Sequence, residues 1–187
     1  MAPAVRQGEL RLRTGRVSIR TVAIGGSYHR VADPDWSDPL DPSFAAAAPG
    51  QRWNPAGLHC LYLNADVATA RANVGRLFDG LPYGPEDLDP VTAPVLVEVA
   101  LPGGEAADAF TDDGLIDLGL SASFPFDEYG APVPHATCQP LGQAAFDAGL
   151  DGVDCRSAAK GGGRELAWFP RGRMVQEVSR RSFGQWW

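Results

Sequence analysis

Residues 50–64, GQRWNPAGLHCLYLN, leave the backbone few choices. Asn54-Pro55 initiates a turn, and Gly57 supplies a residue for which positive φ carries no steric cost. LHCLYLN then reads as a strand, with Leu58, Cys60 and Tyr62 on one face and His59, Leu61 and Leu63 on the other. Both faces are mostly apolar, which predicts a strand inside a sheet rather than at its edge. Arg52, Asn54 and Tyr62 are thus polar groups set beside elements that hold them still, and the stretch reads as one wall of a site for an anion.

The remainder has to complete that wall within 187 residues, a length suited to one domain with a sizeable core. The 22 Gly and 16 Pro predict many irregular connections. A net charge of −7 argues against a general nucleic-acid binder and means that an anionic ligand needs a local basic pocket. Cys60, Cys138 and Cys155 have no CxxC spacing. With His29, His59 and His135 as the only histidines they form no zinc signature, so no metal is expected. Scattered cysteines, the lack of a signal-like start and the lack of a long apolar run lead to the expectation of a cytoplasmic protein without membrane contact.

Before the wall, LRLRTGRVSIR alternates weakly and is read as an edge strand or a mobile arm over residues 1–20, more often a solvated terminus. TVAIGG and SYHRVAD read as a strand in which Tyr28 and Arg30 share a face, with Arg30 either exposed at an edge, the reading slightly ahead, or buried with an anionic partner. The loop DPDWSDPLDPSFAAAAPG is either a binding loop or a surface insertion.

After the wall, ADVATARANVGRLFDG predicts a helix capped by Asn64 or Asp66 and ended by Gly80. Its stripe is Val67, Ala70, Val74, Leu77 and Phe78, and Asn73 turns inward. APVLVEVALPGG is the clearest strand, expected to stop at a Pro-Gly-Gly turn. Residues 105–137 suggest a short element followed by a Pro-rich loop. QPLGQAAFDAGLDG predicts a helix with Leu141, Ala144, Ala145 and Ala148 on one side. VDCRSAAKGGGRELAWFP reads as a hairpin with Lys160 and Arg164 at its rim; its GGGR lacks the ending of a phosphate-binding P-loop. MVQEVS is a last strand, and the two terminal tryptophans are expected to dock on the body.

Taken together, Tyr28-His29-Arg30, GQRWNPAG and LYLNADVATARANV resemble the RES-domain family, over roughly residues 27–178. That family is named for an Arg, a Glu and a Ser. The resemblance implies a single α+β domain over residues 1–187, with residues 179–187 as a tail. Its fold would be ADP-ribosyltransferase-like, with small twisted sheets around an NAD cleft and short flanking helices. It implies cleavage of the nicotinamide–ribose bond of NAD⁺ by phosphate or by water. NAD⁺ and inorganic phosphate would then be substrates, and no bound cofactor is expected.

Family members act as toxins restrained by a helical, DNA-binding antitoxin of the Xre type, so such a partner is implied, with self-association left open. Carried onto this chain, the catalytic set is Arg30, Arg52, Asn73 and Ser157. Tyr28, Asn54, Tyr62 and Arg156 would bind substrate. Arginine forks suit phosphate oxygens. Tyr62 suits stacking on nicotinamide or bonding a ribose, and Asn54 suits fixing the turn that aims Arg52. The chain departs from the pattern twice. Asn73 stands where the family has a Glu, so Glu98, Glu128 and Glu165 are candidate replacements. His29 either separates the Tyr-Arg pair or stands in the tyrosine's place. An Asn73→Glu change is accordingly expected to raise turnover if Asn73 sits at the family position.

Overall fold

The computed structural model describes residues 6–12, 15–159 and 161–187, with side chains described from Ile19 onward apart from Lys160. Residues 1–5 of the expected arm and Lys160 at the expected turn rim lie outside the described residues. The chain runs β1 (Arg6–Leu12), β2 (Gly15–Ala32), α1 (Ser43–Ala46), β3 (Gly50–Gln51), β4 (Asn54–Pro55), β5 (Leu61–Asn64) and α2 (Val67–Arg76). It continues through β6 (Val95–Ala109), α3 (Asp112–Asp117), α4 (His135–Asp147), β7 (Gly152–Arg156), β8 (Arg164–Trp168), β9 (Gln176–Arg181) and α5 (Phe183–Trp186).

The result is a mixed α+β domain built on a small closed barrel. β2, β5, β8, β7 and β6 follow one another around a ring, and β2 pairs with β6 to close it. β1 extends β2 antiparallel, and β9 adds to the free part of β6. The ring is narrowest in pairing between β2 and β5, where one register pair, His29 with Asn64, joins them; Asn64 Nδ2 also donates to the His29 carbonyl at 3.1 Å. β5 is an interior strand, as its two apolar faces predict.

Period-two alternation then sorts every barrel strand. Leu61, Leu63, Val97, Val99, Leu166 and Trp168 pack together in one cluster. On the opposite face lie Tyr62 and Ala167, paired with one another, and Asn64, paired with Glu165. That second face packs a core of Trp53, Cys60, Phe124, Cys138, Cys155 and Phe169 beneath α4. All three cysteines are buried and free. The hairpin read in VDCRSAAKGGGRELAWFP is β7 and β8.

Pro102, Gly103 and Gly104 do not end β6. The strand runs through them as an irregularity facing Gly25, where the register against β2 shifts. The Pro-Gly-Gly signal marks a bulge here because eleven pairings with β2 lie on its two sides and carry the strand across. Two helix stripes are also shorter at the C-terminal end than read. Leu77 is the C-cap of α2 and exposed, and Ala148 caps α4 and is exposed. α4 begins four residues before Gln139, at His135, and so reaches the site. The terminal tryptophans dock through Trp186, which is 1% exposed and donates from its indole to the Pro94 carbonyl at 3.1 Å.

Gly142 on α4 lies against the backbone of Trp53: a Cβ there would sit 1.7 Å from the Trp53 carbonyl oxygen. Backbone cannot rotate away as a side chain can. Gly142→Ala is therefore expected to destabilise by about 1–3 kcal/mol, the usual range for overpacking. Urea unfolding checks it, and an unchanged midpoint would show that α4 shifts freely.

Candidate active site

The Gly50–Gln51 and Asn54–Pro55 pair makes a tight turn whose geometry requires glycine at its entry. Gly50 has φ +84°, and a Cβ on it would meet the Asn54 carbonyl oxygen at 2.3 Å. Gly57 has φ +87°, as the turn signal predicts. Asn54 is wholly buried and spends its amide inside this turn, donating to the carbonyls of Ala45 at 2.7 Å and Leu58 at 3.0 Å. Its oxygen accepts from the Tyr62 hydroxyl at 2.9 Å, and that hydroxyl accepts from the Trp53 amide at 2.8 Å. Burial pushes the Tyr62 phenol well above its ordinary range, so it stays a donor. Asn54 therefore fixes the wall, and Tyr62 presents its ring rather than a free hydroxyl.

The wall closes one side of a cavity of about 480 Å³, a size that suits a small-molecule site. Arg30, Arg52, Tyr62, Asn73 and Glu165 line it, with Asn64, Arg76 and His135. The loop between β2 and β3 supplies Trp36, Phe44 and Ala45, so it is a wall of the cavity rather than a surface insertion. Trp36 and Phe44 stack at 5.0 Å, and the Arg30 guanidinium lies 5.6 Å from the Trp36 ring.

Arg30 is not the exposed edge residue the sequence suggested. It donates from Nη1 to the Tyr62 carbonyl at 3.2 Å, while its buried Nε has no hydrogen-bond partner. Desolvation lowers its pKa from the ordinary value, with Cys60, Asp38 and Asp41 acting in the opposite direction. Arg30 is half-buried, and a guanidinium with a buried, idle donor is costly unless something anionic meets it. Arg52 donates to the Val133 carbonyl at 2.9 Å and lies 5.9 Å from the Phe124 ring. Arg76, in the last turn of α2, and His135, the first residue of α4, add two more basic groups, and His135 is held below its ordinary pKa by burial and by Arg52 and Arg76.

α2 is started by Asp66, whose carboxylate accepts from the Thr69 amide at 2.7 Å. This cap turns Asn73 toward the cavity. Asn73 Nδ2 donates to Asn64 Oδ1 at 2.8 Å and to Glu165 Oε1. Ser157 is buried and donates to Asn73 Oδ1 at 3.3 Å. It lines a neighbouring cavity of about 730 Å³ that shares Arg76 and Ala158 with the first.

Four of the five residues read as one cleft thus meet, and Ser157 touches it through Asn73. Two others are placed elsewhere. Tyr28 packs inside the barrel with Leu61 and Val99, near Asp154 and Arg164. Arg156 lines the second cavity but is occupied: it donates to the carbonyls of Phe110 at 2.7 Å and Ala122 at 2.6 Å and pairs with Asp112.

Arg76 and His135 escaped the sequence reading. Arg76 carried a usable signal, since it follows Asn73 by three residues on the same helical face. His135 sat in what read as a Pro-rich loop.

The model of the RES domain matches residues 27–185. The chain belongs to the RES-domain family. The solved M. tuberculosis MbcT–MbcA toxin–antitoxin complex contains a chain similar to this RES domain, with TM-score 0.70 over 87% of this chain and 86% of that one. At 20% identity that likeness concerns the fold. No curated protein matches the sequence. Among the described residues no helix is long and apolar enough to cross a membrane, and no cluster of metal-ligating side chains occurs.

Proposed function

We propose that this RES-domain protein cleaves NAD⁺ between nicotinamide and ribose, with phosphate or water as acceptor. On this reading the barrel and its helices form an ADP-ribosyltransferase-like cleft. The observation that carries the reading is the buried, idle Nε of half-buried Arg30 in a cavity shared with Arg52 and with the carboxylate of Glu165. Such a cavity suits a ligand that is anionic at one point and becomes cationic at another. NAD⁺ is of that kind: its diphosphate matches the guanidinium forks, and positive charge develops on the ribose as nicotinamide departs.

In the reaction, the bond from C1′ to the pyridinium nitrogen breaks and its electron pair goes to nitrogen, releasing neutral nicotinamide. An oxygen of phosphate or water then bonds to C1′, and water gives up a proton. Arg30 and Arg52 hold phosphate oxygens. The Tyr62 ring offers a face for nicotinamide. Trp36 and Phe44 narrow the mouth against bulk water.

The family and the likeness to a toxin–antitoxin complex support the further reading that this enzyme is a toxin. Its partner would be an Xre-type antitoxin.

Purified protein incubated with NAD⁺ is expected to release nicotinamide. A rate that rises with added phosphate, with ADP-ribose phosphate as product, selects phosphorolysis; ADP-ribose at a phosphate-independent rate selects hydrolysis. Label retained on a macromolecule would instead assign ADP-ribosyl transfer. NAD⁺ that binds without nicotinamide release would sink the enzymatic reading and leave a nucleotide-binding module.

A further inference from the structure

In the NAD⁺ reading a negative charge belongs beside the ribosyl cation, and the family pattern sets it on the helix after the strand, where this chain carries Asn73. Glu165 is the one carboxylate among the described residues lining the Arg30–Arg52 cavity. Of the other candidates, Glu98 is occupied elsewhere by the hydroxyls of Ser27 and Ser179, each at 2.9 Å, and Glu128 is exposed and lines neither adjoining cavity.

We infer that the two positions have exchanged roles: Glu165 on β8 is the catalytic carboxylate, and Asn73 on α2 is its positioning residue. The inference rests on the NAD⁺ reading.

The hydrogen bonds match these two roles. Asn73 turns its amide NH₂ toward Glu165, whose Oε1 accepts. That leaves Asn73 Oδ1 to accept from Ser157, and both bonds are present. Asn73 Nδ2 reaches Glu165 through Oε1, so Oε2 is the oxygen left for a ribose hydroxyl and for the charge that develops on C1′. The backbone supports the same pairing. Asn64, which accepts from Asn73, stands directly opposite Glu165 in the β5–β8 register. A carboxylate on the helix and an amide on the strand would satisfy the Ser157 bond and the central contact equally well. Two carboxylates would not, because like charges at this separation force one to keep a proton.

The test compares wild type, Glu165→Gln, Asn73→Glu and the reciprocal Asn73→Glu/Glu165→Asn, by nicotinamide release across pH and by NAD⁺ binding. Glu165→Gln is isosteric and is expected to lose roughly 10²-fold in kcat with a small change in KM, the signature of a contact made in the transition state. Asn73→Glu alone, a gain on the sequence expectation, is instead expected to lose activity near neutral pH and to shift the activity limb to higher pH, because it sets a second carboxylate against Glu165. The reciprocal variant is expected to recover to within about tenfold of wild type, an allowance for the lost Asn64 contact. Glu165→Gln with wild-type turnover, or Asn73→Glu more active than wild type, overturns the exchange while leaving NAD⁺ cleavage standing. Wild type that binds NAD⁺ and releases nothing overturns both.

Discussion

Arg30→Gln will lower kcat/KM for NAD⁺ by about 10²–10³-fold, the effect of removing one preorganised charged donor, and will leave thermal stability unchanged or raised. The two halves of that expectation come from one fact. Desolvation lowers the pKa of Arg30, which means the fold disfavours the charged form relative to water. Its visible hydrogen bond is to the Tyr62 carbonyl, and its Nε has none. A neutral glutamine removes the desolvation cost and loses little that the free protein uses. A purely structural arginine behaves oppositely, because its removal strands a buried partner charge. No acidic side chain forms an ion pair with Arg30 among the described residues. Steady-state kinetics and a thermal melt on the same preparation decide it. A variant that melts early would make Arg30 part of the scaffold, and one with native kinetics would remove it from the site. Arg30→Lys is expected to recover little, since an ammonium lacks the planar fork that meets two phosphate oxygens at once.

The same residue shows where sequence reading stops. Alternation placed Tyr28 and Arg30 on one face of β2, and they do share it. It could not say that two residues along that strand separate a packed interior from a ligand cavity, because that boundary is set by Trp36 and Tyr62, which arrive from other elements. Local signals served well where the cause was local: the Asn-Pro turn, the positive φ at Gly57, the Asp66 cap, and the hairpin of β7 and β8. They failed at Pro102–Gly104, where long-range pairing with β2 overrode a turn signal. The β2–β5 side of the ring rests on one bridge between residues 35 positions apart, and no periodicity marks such a contact. Glu165 is the clearest case. The sequence offers Glu98, Glu128 and Glu165 alike, and only the register of β5 on β8 sets Glu165 opposite Asn64 and against Asn73.

The turn is also where the largest loss of stability is expected. Asn54→Ala strips the donors from the Ala45 and Leu58 carbonyls and the acceptor from the Tyr62 hydroxyl. Each buried group left unmet costs about 1–3 kcal/mol, so with partial relaxation the variant should lose about 3–4 kcal/mol. Asn54→Asp sharpens the claim. It keeps the acceptor for Tyr62 and nearly the same volume, so if volume and the Tyr62 bond dominated it would be mild. An aspartate, however, turns an acceptor-only oxygen toward two carbonyl oxygens in a site with no exposure. It must either ionise with the Tyr62 hydroxyl as its one side-chain donor, facing two carbonyl oxygens, or take up a proton, so its own pKa must rise. A raised folded-state carboxyl pKa means the folded state holds protons that the unfolded chain releases. The variant's deficit should therefore shrink as pH falls toward the ordinary carboxylate range and grow above it. Urea unfolding of both variants between acid and neutral pH separates the accounts. Asn54→Asp weaker than Asn54→Ala at neutral pH, with the gap closing in acid, identifies the two carbonyl acceptors as what the amide is there to meet. A constant gap would place the stabilisation in packing around Trp53 instead.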